Sequence, residues 1–326
     1  MRRVVTVSDL EPVIRSRRML RESGWTERAI DDARRAGRVI AVRRGWFMDA
    51  DDVADLWPEG RHLAHVIAVS RDAANGAVAS YASAGVLWRL PLYRYRPTRV
   101  HLTTEYPTRV SSGRDVLRHL EPLADSDIVV RDGIRCTSLQ RTVFDMIRSL
   151  GPEAAIACAD AGERRFALHG RIWDEDAVAH WRSGLHGRVD AAAGARGVKQ
   201  ARRIAAFADG LAQLPGESVS RLQLVRLGFA VPELQVPVPK PTGGDYFVDF
   251  GLREIRAFGE FDGQDKYLDE AMRRGVSLET VLLEEKRRED WIRGTTQWRF
   301  ARWGSEHCVT AAALASRLAG FGIRPP

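Results

Sequence analysis

The stretch VDFGLREIRAFGEFDGQDKY, from Val248 to Tyr267, combines strand-forming hydrophobic residues with carboxylates. Asp249, Glu260 and Asp262 stand among phenylalanines and an isoleucine, residue types that normally lie inside a protein. Burying an unpaired charge costs several kcal/mol, so these acids need partners. A bound cation is one candidate partner, and neighbouring arginine side chains are the other.

Alternation with a period of two predicts that this stretch forms two strands, with Asp249 on the first and Glu260 and Asp262 on one face of the second. Only about residues 252–254 turn between them, which predicts an antiparallel hairpin. A symmetric turn sets Asp249 opposite residues 256–258, so a bulge or bend is needed to bring it to Glu260. Carboxylates on adjacent strands can hold a divalent ion that activates a water and stabilises charge on a phosphate oxygen. The alternative is ion pairing with arginines such as Arg253, Arg256, Arg287 or Arg288.

The composition predicts more than one domain and an anionic partner. The 326 residues are too many for one small core, so we expect two or three domains. The net charge is +7, and residues 1–45 alone hold twelve arginines against six acids. No apolar run approaches the ~20 residues of a membrane span, and we find no secretory signal. The three distant cysteines form neither a disulfide framework nor a metal motif, and these features predict a cytoplasmic protein with no membrane partner.

The N-terminal segment, residues 1–55, has the pattern of a winged helix-turn-helix. Helices are predicted over Ile14–Gly24 and over Thr26–Gly37, where Thr26 caps the second, and a hairpin follows around Arg43–Gly45. In such a module the second helix enters the major groove and the hairpin contacts the DNA backbone. The alternative is a protein-docking module in which the arginines form an ordinary solvated face. The predicted DNA contacts are Arg28, Arg34, Arg35, Arg43 and Arg44.

The remaining sequence divides into a middle domain, a linker and a C-terminal domain. Residues 56–185 indicate an α+β domain with a helical end, and residues 186–212 a linker or helix. Residues 213–326 show the order helix, three strands, helix, strand. His62 and His65 have the spacing H-x-x-H without a third ligand, and we interpret them as surface histidines.

The C-terminal pattern resembles the restriction-endonuclease-like PD-(D/E)XK superfamily, in particular its very-short-patch-repair-like (Vsr-like) bacterial branch. The resemblance covers about Leu214 to Trp303 and rests on an Asp, a short turn, E-x-D-G and a helix of the form K-R-R-E-D-x-x-R, in that order. It implies a mixed sheet flanked by helices and a DNA endonuclease that uses Mg²⁺ or Mn²⁺. It also implies Asp249 and Glu260 as metal ligands, with Asp262 as a third.

The same resemblance assigns roles around these ligands. It implies Glu217, in the segment GESVSR, as an auxiliary acid. The lysine of the superfamily's E-x-K motif is replaced by Asp262, and Lys266 or Lys286 is the candidate for the missing ammonium. Arg288 and Arg293, on the K-R-R-E-D-x-x-R helix, are the expected DNA contacts of this domain.

Residues 9–165 resemble the AbiEi-type antitoxins of type IV toxin–antitoxin systems. The resemblance is carried by SGWTERAIDDARRAGRVIAVRRGWF, VASYASAGVLWRLPL and DGIRCTSLQRTVFDM. It implies an operator-binding N-terminal module and a middle domain that contacts a partner or regulates. Taken by itself, the RTVFD stretch, Arg141 to Asp145, is better explained as a capped, salt-bridged helix start.

Together these patterns predict an α/β multidomain protein with a winged helix-turn-helix, an α+β middle domain and a restriction-endonuclease-like α/β domain. The first functional hypothesis is a DNA-binding, metal-dependent endonuclease in host defence or DNA processing. The second is a repressor or antitoxin whose nuclease-like domain binds without cutting. DNA is the expected partner in both cases, and a cognate toxin or a second copy of the chain are further candidates.

Overall fold

The computed structural model describes residues 5–73, 77–104, 112–263 and 277–325. The chain forms two compact units, and each contains two stretches of sequence. The first unit comprises Met1–Cys158 and Glu175–Ala206, and the second comprises Ala159–Asp174 and Phe207–Pro326. Helices and sheets occur in both, so the protein is a mixed α/β multidomain protein. None of the described helices combines the length and the apolar character that a bilayer crossing needs.

The first unit begins with short helices and a small antiparallel sheet in the order β1-β3-β2. Strands β2 and β3 form the predicted hairpin, and Ala29 N donates to the capping hydroxyl of Thr26 at 3.1 Å. The predicted first helix is shorter than expected, because Arg15 and Ser16 pair with β3 instead of continuing the helix. The elements are α1 (Val7–Leu10), β1 (Arg15–Ser16), α2 (Arg17–Glu22), α3 (Glu27–Arg35), β2 (Val39–Arg43), β3 (Trp46–Asp49), α4 (Ala50–Ala54) and α5 (Pro58–Asp72).

A small apolar core holds these first elements together. Leu20 of α2, Ile30 of α3 and Phe47 of β3 are at most 1% exposed and pack in one cluster. The apolar positions of both helices therefore face the hairpin, which leaves the arginine-rich positions of α2 and α3 on the outside.

The rest of the first unit is built on a five-stranded mixed sheet in the order β6-β5-β4-β8-β7. Helix α7 begins as predicted, with Arg141 N donating to the capping hydroxyl of Ser138 at 3.4 Å. His62 is a correction to the sequence prediction: it is 4% exposed, because its ring lies under α6 and bonds to Ser83. The elements are β4 (Val78–Ala79), α6 (Tyr81–Leu87), β5 (Val100–Thr104), β6 (Val116–Leu120), a 3-10 helix (Asp125–Asp127), β7 (Ile128–Arg131), β8 (Ile134–Thr137), α7 (Leu139–Ser149), α8 (Pro152–Ala167), which belongs to the second unit from Ala159 onward, α9 (Glu175–Ala191) and α10 (Val198–Phe207).

The second unit contains a four-stranded sheet in the order β11-β12-β13-β14. The first three strands are antiparallel and β14 runs parallel to β13, so the predicted order of helix, three strands, helix and strand is confirmed. The elements are β9 (Leu168–His169), β10 (Ile172–Trp173), α11 (Pro215–Arg226), β11 (Glu233–Pro239), β12 (Asp245–Leu252), a 3-10 helix (Arg253–Ile255), β13 (Ala257–Phe261), α12 (Leu278–Thr296), β14 (Arg299–Trp303) and α13 (Ala311–Ala319).

Helices cover both faces of this sheet, as neighbouring residues of β13 show. Phe258 packs in a cluster with Ile292 of α12. A Cβ at Gly259 would lie 2.3 Å from the ring of Trp303, whose Nε1 donates to Ser220 of α11 at 2.8 Å. Because successive residues of a strand point to opposite faces, α12 and α11 lie on opposite sides. Glu260 and its neighbours are thus held in a rigid, layered setting.

Candidate functional site

One residue from each strand of the second unit's sheet forms a row across it. Gly251 pairs with Phe258 and Phe250 with Gly259, and the next step of this register sets Asp249 opposite Glu260. The sequence required a bulge for this alignment, but the structure achieves it with a longer connection, a 3-10 helix followed by Arg256 at φ +49°. Glu260 pairs in turn with Arg302 of β14. The strand register alone therefore brings the two predicted metal ligands together.

Asp249 is held by hydrogen bonds on both of its carboxylate oxygens. Phe261 N donates to Oδ2 at 2.9 Å, and Nε2 of Gln235 donates to Oδ1 at 3.3 Å. Gln235 adopts φ +49°, which is unusual for a residue other than glycine. Such backbone strain tends to occur at functional sites, where the surrounding structure enforces it. Gln235 completes the row on β11, and the sequence analysis did not identify it.

Glu260 is 2% exposed and lies between two arginines. Nη2 of Arg288 donates to Oε1 at 2.5 Å. Nη2 of Arg302 lies 2.7 Å from Oε2, but the angle does not suit a hydrogen bond, so Oε2 has none among the described residues. Burial raises the pKa of Glu260, the two arginines act to lower it, and the charge of Asp249 raises it further. The ion-pairing alternative predicted for Arg288 is thus present in the structure.

These side chains belong to a larger group that we call the C-terminal ion cluster. Arg302 Nε lies 3.0 Å from Glu289, and its Nη1 lies 3.7 Å from Asp262. Arg288 also bonds Glu285 at 2.8 Å. Among the described residues, the group joins five carboxylates and three guanidinium groups. Its members are Asp249, Glu260, Asp262, Glu285, Glu289, Arg288, Arg293 and Arg302.

Glu217, the predicted auxiliary acid, is 3% exposed in the first turn of α11. Its Oε2 accepts from Gln213 N at 2.7 Å. The side chain of Gln213 donates to Gln235 at 3.0 Å, and Gln235 donates to Asp249. The structure therefore connects Glu217 to the row through two glutamines instead of placing it beside Asp249 directly.

The two candidate lysines are not part of this arrangement. Lys286 is exposed on α12 and forms no ion pair with a described carboxylate. Lys266 lies outside the described residues. Of the arginines expected to contact DNA here, Arg288 is 15% exposed and committed to the cluster, whereas Arg293 is 42% exposed and pairs with Glu289 at 2.7 Å. Arg293 is therefore the more accessible of the two.

The predicted DNA contacts on α3 are exposed. The side chains of Arg28 and Arg35 are 91% and 74% exposed, and that of Arg34 is 44% exposed. Each lies within 4.0 Å of Asp31 or Asp32 on the same helix. Exposed pairs of this kind contribute at most about 1 kcal/mol, so they leave the arginines available to an anionic partner.

The two arginines of the hairpin differ. Arg44 is exposed at the turn. Arg43 is only 16% exposed, and its guanidinium lies 3.0 Å from both Asp72 and Asp115. Its charge is balanced within the first unit, because two carboxylates surround it. The expectation of a hairpin contact with DNA therefore rests on Arg44.

The first unit contains a second group of buried charges, which we call the middle ion cluster. Arg141 bonds Asp145 at 3.0 Å and Glu121 at 2.8 Å, and Arg188 bonds Asp127 at 3.2 Å. The RTVFD stretch is thus a capped and salt-bridged helix start, as its sequence alone indicated. The members are the three carboxylates Glu121, Asp127 and Asp145 and the three arginines Arg141, Arg148 and Arg188.

The donor set of the row fits a divalent cation of the Mg²⁺ type. Among the described residues, no group of three or more His, Cys, Asp or Glu side chains converges as a metal cage. Mg²⁺ is usually held by one or two carboxylates together with waters and substrate phosphates, so a cage is not required. Asp249 and Glu260 supply two carboxylates, and Oε2 of Glu260 still has an unused hydrogen-bonding capacity among the described residues.

Comparison with known proteins gives a partial match. No family model matches the chain. Two Mycobacterium tuberculosis proteins, Uncharacterized protein MT2308 of strain CDC 1551 / Oshkosh and Uncharacterized protein Rv2248 of strain ATCC 25618 / H37Rv, are each 33% identical to it over 121 residues. The matched residues are 37% of this chain and 40% of each relative's length. The chain is therefore similar to part of two mycobacterial proteins.

Proposed function

We propose that this chain is a DNA-binding protein whose C-terminal domain cleaves phosphodiester bonds with Mg²⁺ or Mn²⁺. The observation that carries the proposal is the alignment of Asp249 and Glu260 on adjacent strands, which brings two carboxylates to one face of the sheet. The order of helix, three antiparallel strands, helix and parallel strand also agrees with a restriction-endonuclease-like domain. The Vsr-like resemblance of the sequence supports the same assignment.

In this proposal Asp249 and Glu260 hold the cation, and Asp262 assists from the end of β13. When bound, the cation activates a water and stabilises the negative charge that develops on phosphate oxygens. Gln235 and the amide of Phe261 orient Asp249, since both donate to its carboxylate. Without the cation, Arg288 and Arg302 neutralise Glu260. Once the Glu260 carboxylate binds the cation, the two arginines can bind a phosphate bidentately.

The N-terminal elements supply the DNA contacts. In the proposal, the exposed arginines of α3 contact the major groove and Arg44 contacts the DNA backbone, as a winged helix-turn-helix would. A protein with this arrangement binds DNA through its first domain and acts on it through its last. For a protein with that combination, we propose a role in host defence or DNA processing.

A second candidate function is a repressor or antitoxin whose C-terminal domain does not cut. The observation that favours it is the pairing of Glu260 with two arginines, which stabilises the buried carboxylate without a metal. The AbiEi-like sequence features support this candidate. It calls for metal-independent binding of an operator, with a cognate toxin or a second copy of the chain as a further partner.

The experiment that tests the proposal is nicking of supercoiled plasmid, linear duplex and single-stranded DNA with Mg²⁺ or Mn²⁺. Wild type is compared with Asp249→Asn and with Asp245→Asn, a matched control on the same strand whose side chain is exposed outside the row. Loss of a metal-ligating carboxylate is expected to reduce cleavage at least ~100-fold, by analogy with other electrostatic contacts in active sites. The control is expected to cleave at the wild-type rate.

Two results would contradict the endonuclease. One is equal cleavage by wild type and Asp249→Asn, which would indicate a contaminating nuclease or another site. The other is no cleavage of any substrate by a folded protein that still shifts DNA in a gel. That result, with binding unaffected by chelation of metal, would establish the regulator instead.

A further inference from the structure

The hairpin β2–β3 forms one wall of a cavity inside the first unit, away from both ion clusters. The volume of the cavity is about 410 Å³. Ligand-binding cavities in proteins range from about 300 to 1,000 Å³. Helices α4 and α5 and the segment at Arg96 and Pro97 form the other walls. The space is therefore sufficient for a small organic molecule.

Most of the cavity wall is apolar. Ile40 is 38% exposed in this wall and offers its surface to a ligand, whereas Met48 and Leu56, at 1% and 2%, lie beneath the surface. An apolar ligand surface placed here is removed from water, which is the main favourable contribution to binding of this kind. The apolar part of the wall includes Val42, Met48, Val53, Leu56, Pro58 and Pro97.

Two arginines give the wall its charge. Arg61 lies on α5 and Arg96 on the segment before β5, and both are exposed. Neither forms an ion pair with a carboxylate in the described ranges, in contrast to Arg43 nearby. A planar guanidinium presents paired N–H donors that match a carboxylate or a phosphate. The charged side chains of the wall, Arg61 and Arg96, are thus both positive.

Two histidines of α5 also line the cavity. His62 is 4% exposed, and Nε2 of its ring lies 3.0 Å from the hydroxyl of Ser83. Nε2 of His65 lies 3.7 Å from Oδ2 of Asp115. Burial lowers the pKa of His62 to about 3, so its ring is neutral and offers polarity without charge.

We propose that this cavity binds a small organic anion with an apolar body. Arg61 and Arg96 hold the acidic group, and the apolar body lies against Ile40, Val42 and Pro97. The binding site is separate from the proposed nuclease site and does not depend on it. Because β2 and β3 form part of the wall, an occupant contacts the same hairpin that carries Arg44 at its turn.

The test uses 1-naphthoate as the probe and its neutral counterpart 1-naphthamide, each titrated into the full chain by calorimetry. We expect saturable binding of one naphthoate per chain. The affinity for the amide should be at least about tenfold lower, because the amide lacks the charge that the arginines recognise. The double variant with Arg61→Gln and Arg96→Gln should bind naphthoate at least about tenfold more weakly. Arg135→Gln, an exposed arginine of β8 outside the cavity, is the matched control and should bind as wild type does.

A second variant locates the binding site. Val53→Trp places a large ring in the wall of the cavity and should abolish binding of both probes, with thermal unfolding used to verify that each variant is folded. Two outcomes overturn the proposal. One is the absence of saturable naphthoate binding at millimolar concentration, and the other is equal binding to wild type, the double arginine variant and the folded Val53→Trp protein.

Discussion

The two ion clusters use the same kinds of side chain in different proportions. The middle ion cluster balances three carboxylates with three guanidinium groups, and it joins the start of α7 to the segments around it. Among the described residues, the C-terminal ion cluster has five carboxylates against three guanidinium groups. Burial of a carboxylate therefore does not distinguish a structural site from a functional one. The placement of the carboxylates does, because Asp249 and Glu260 stand opposite each other on adjacent strands, where two carboxylates can hold a cation.

Position strengthens this contrast. The middle cluster connects α7 with the segment after β6, the 3-10 helix and α9, and its Asp145 is fully buried between Arg141 and Arg148. The C-terminal cluster connects β12, the end of β13 and β14 with α12, beside the strained backbone of Gln235. The first arrangement stabilises a fold, and we interpret the second as one that stabilises a bound ion.

The largest expected effect comes from neutralising one acid in each cluster. Asp145→Asn should lower the free energy of unfolding of the first unit by about 3–5 kcal/mol, because the two oxygens of this buried carboxylate accept from Arg148 and Arg141 and a single amide oxygen cannot accept from both. Glu260→Gln should cost the second unit less than about 1 kcal/mol, because Arg288 and Arg302 both keep Glu285 and repulsion from Asp249 is relieved. Urea unfolding followed by probes in each unit measures both values.

The control for this pair is Asp125→Ala, an exposed acid of the first unit whose loss should change little. Equal destabilisation by Asp145→Asn and Glu260→Gln would remove the distinction between the two clusters. The C-terminal cluster would then be structural, and the regulator would become the preferred function.

A change of pH should affect the stability of the two units differently. Burial lowers the pKa of His62 to about 3 and that of His101 to about 4, from 6.5, with neighbouring histidines adding to the effect. The unfolded chain therefore takes up protons first as the pH falls below 6.5, and stability decreases. Between pH 6.5 and 5 each histidine should cost the first unit about 2 kcal/mol. The second unit should not share this loss, because the raised pKa of Glu260 makes its contribution to stability larger at low pH.

Unfolding curves at pH 7 and pH 5 test this prediction, with His101→Gln as the comparison. The variant should lose part of the pH dependence of the first unit. A first unit as stable at pH 5 as at pH 7 would show that these rings are protonated in the folded protein.

The smallest expected effect concerns the hairpin arginines, which form a matched pair. Arg44→Gln should weaken binding of duplex DNA several-fold and reduce the slope of log affinity against log salt by about 1, because one phosphate contact is lost. Arg43→Gln should leave the slope unchanged, because Asp72 and Asp115 already neutralise that side chain. Gel shifts over a range of salt concentrations measure both, and a larger effect from Arg43→Gln would contradict the assignment.

The sequence predicted the elements that depend on local patterns. Thr26 as a cap, the hairpin after α3 and the order of helices and strands along the second unit all follow from alternation, turn residues and capping. Glu260 was recognised because an acid between phenylalanines is costly in a strand. These signals are local, and one sequence is enough to detect them.

The rest depended on contacts between distant residues. Arg302 is 42 positions from Glu260, and Gln235 is 14 from Asp249, so neither partner has a local signature. The register of the hairpin was also wrong in detail, because the left-handed conformation of Arg256 lengthens the turn without a glycine to indicate it. Burial of His62 depends on α6 packing above it, which no spacing in the sequence reveals.

The central claim is that Asp249 and Glu260 together hold a divalent cation. Electron paramagnetic resonance of Mn²⁺ titrated into the full chain measures this directly, without requiring the correct DNA substrate. The account predicts one bound Mn²⁺ per chain, with affinity at least about tenfold lower in Asp249→Asn and in Glu260→Gln and unchanged in Asp245→Asn. Mn²⁺ binding that is absent from wild type, or equal in all four proteins, would contradict it.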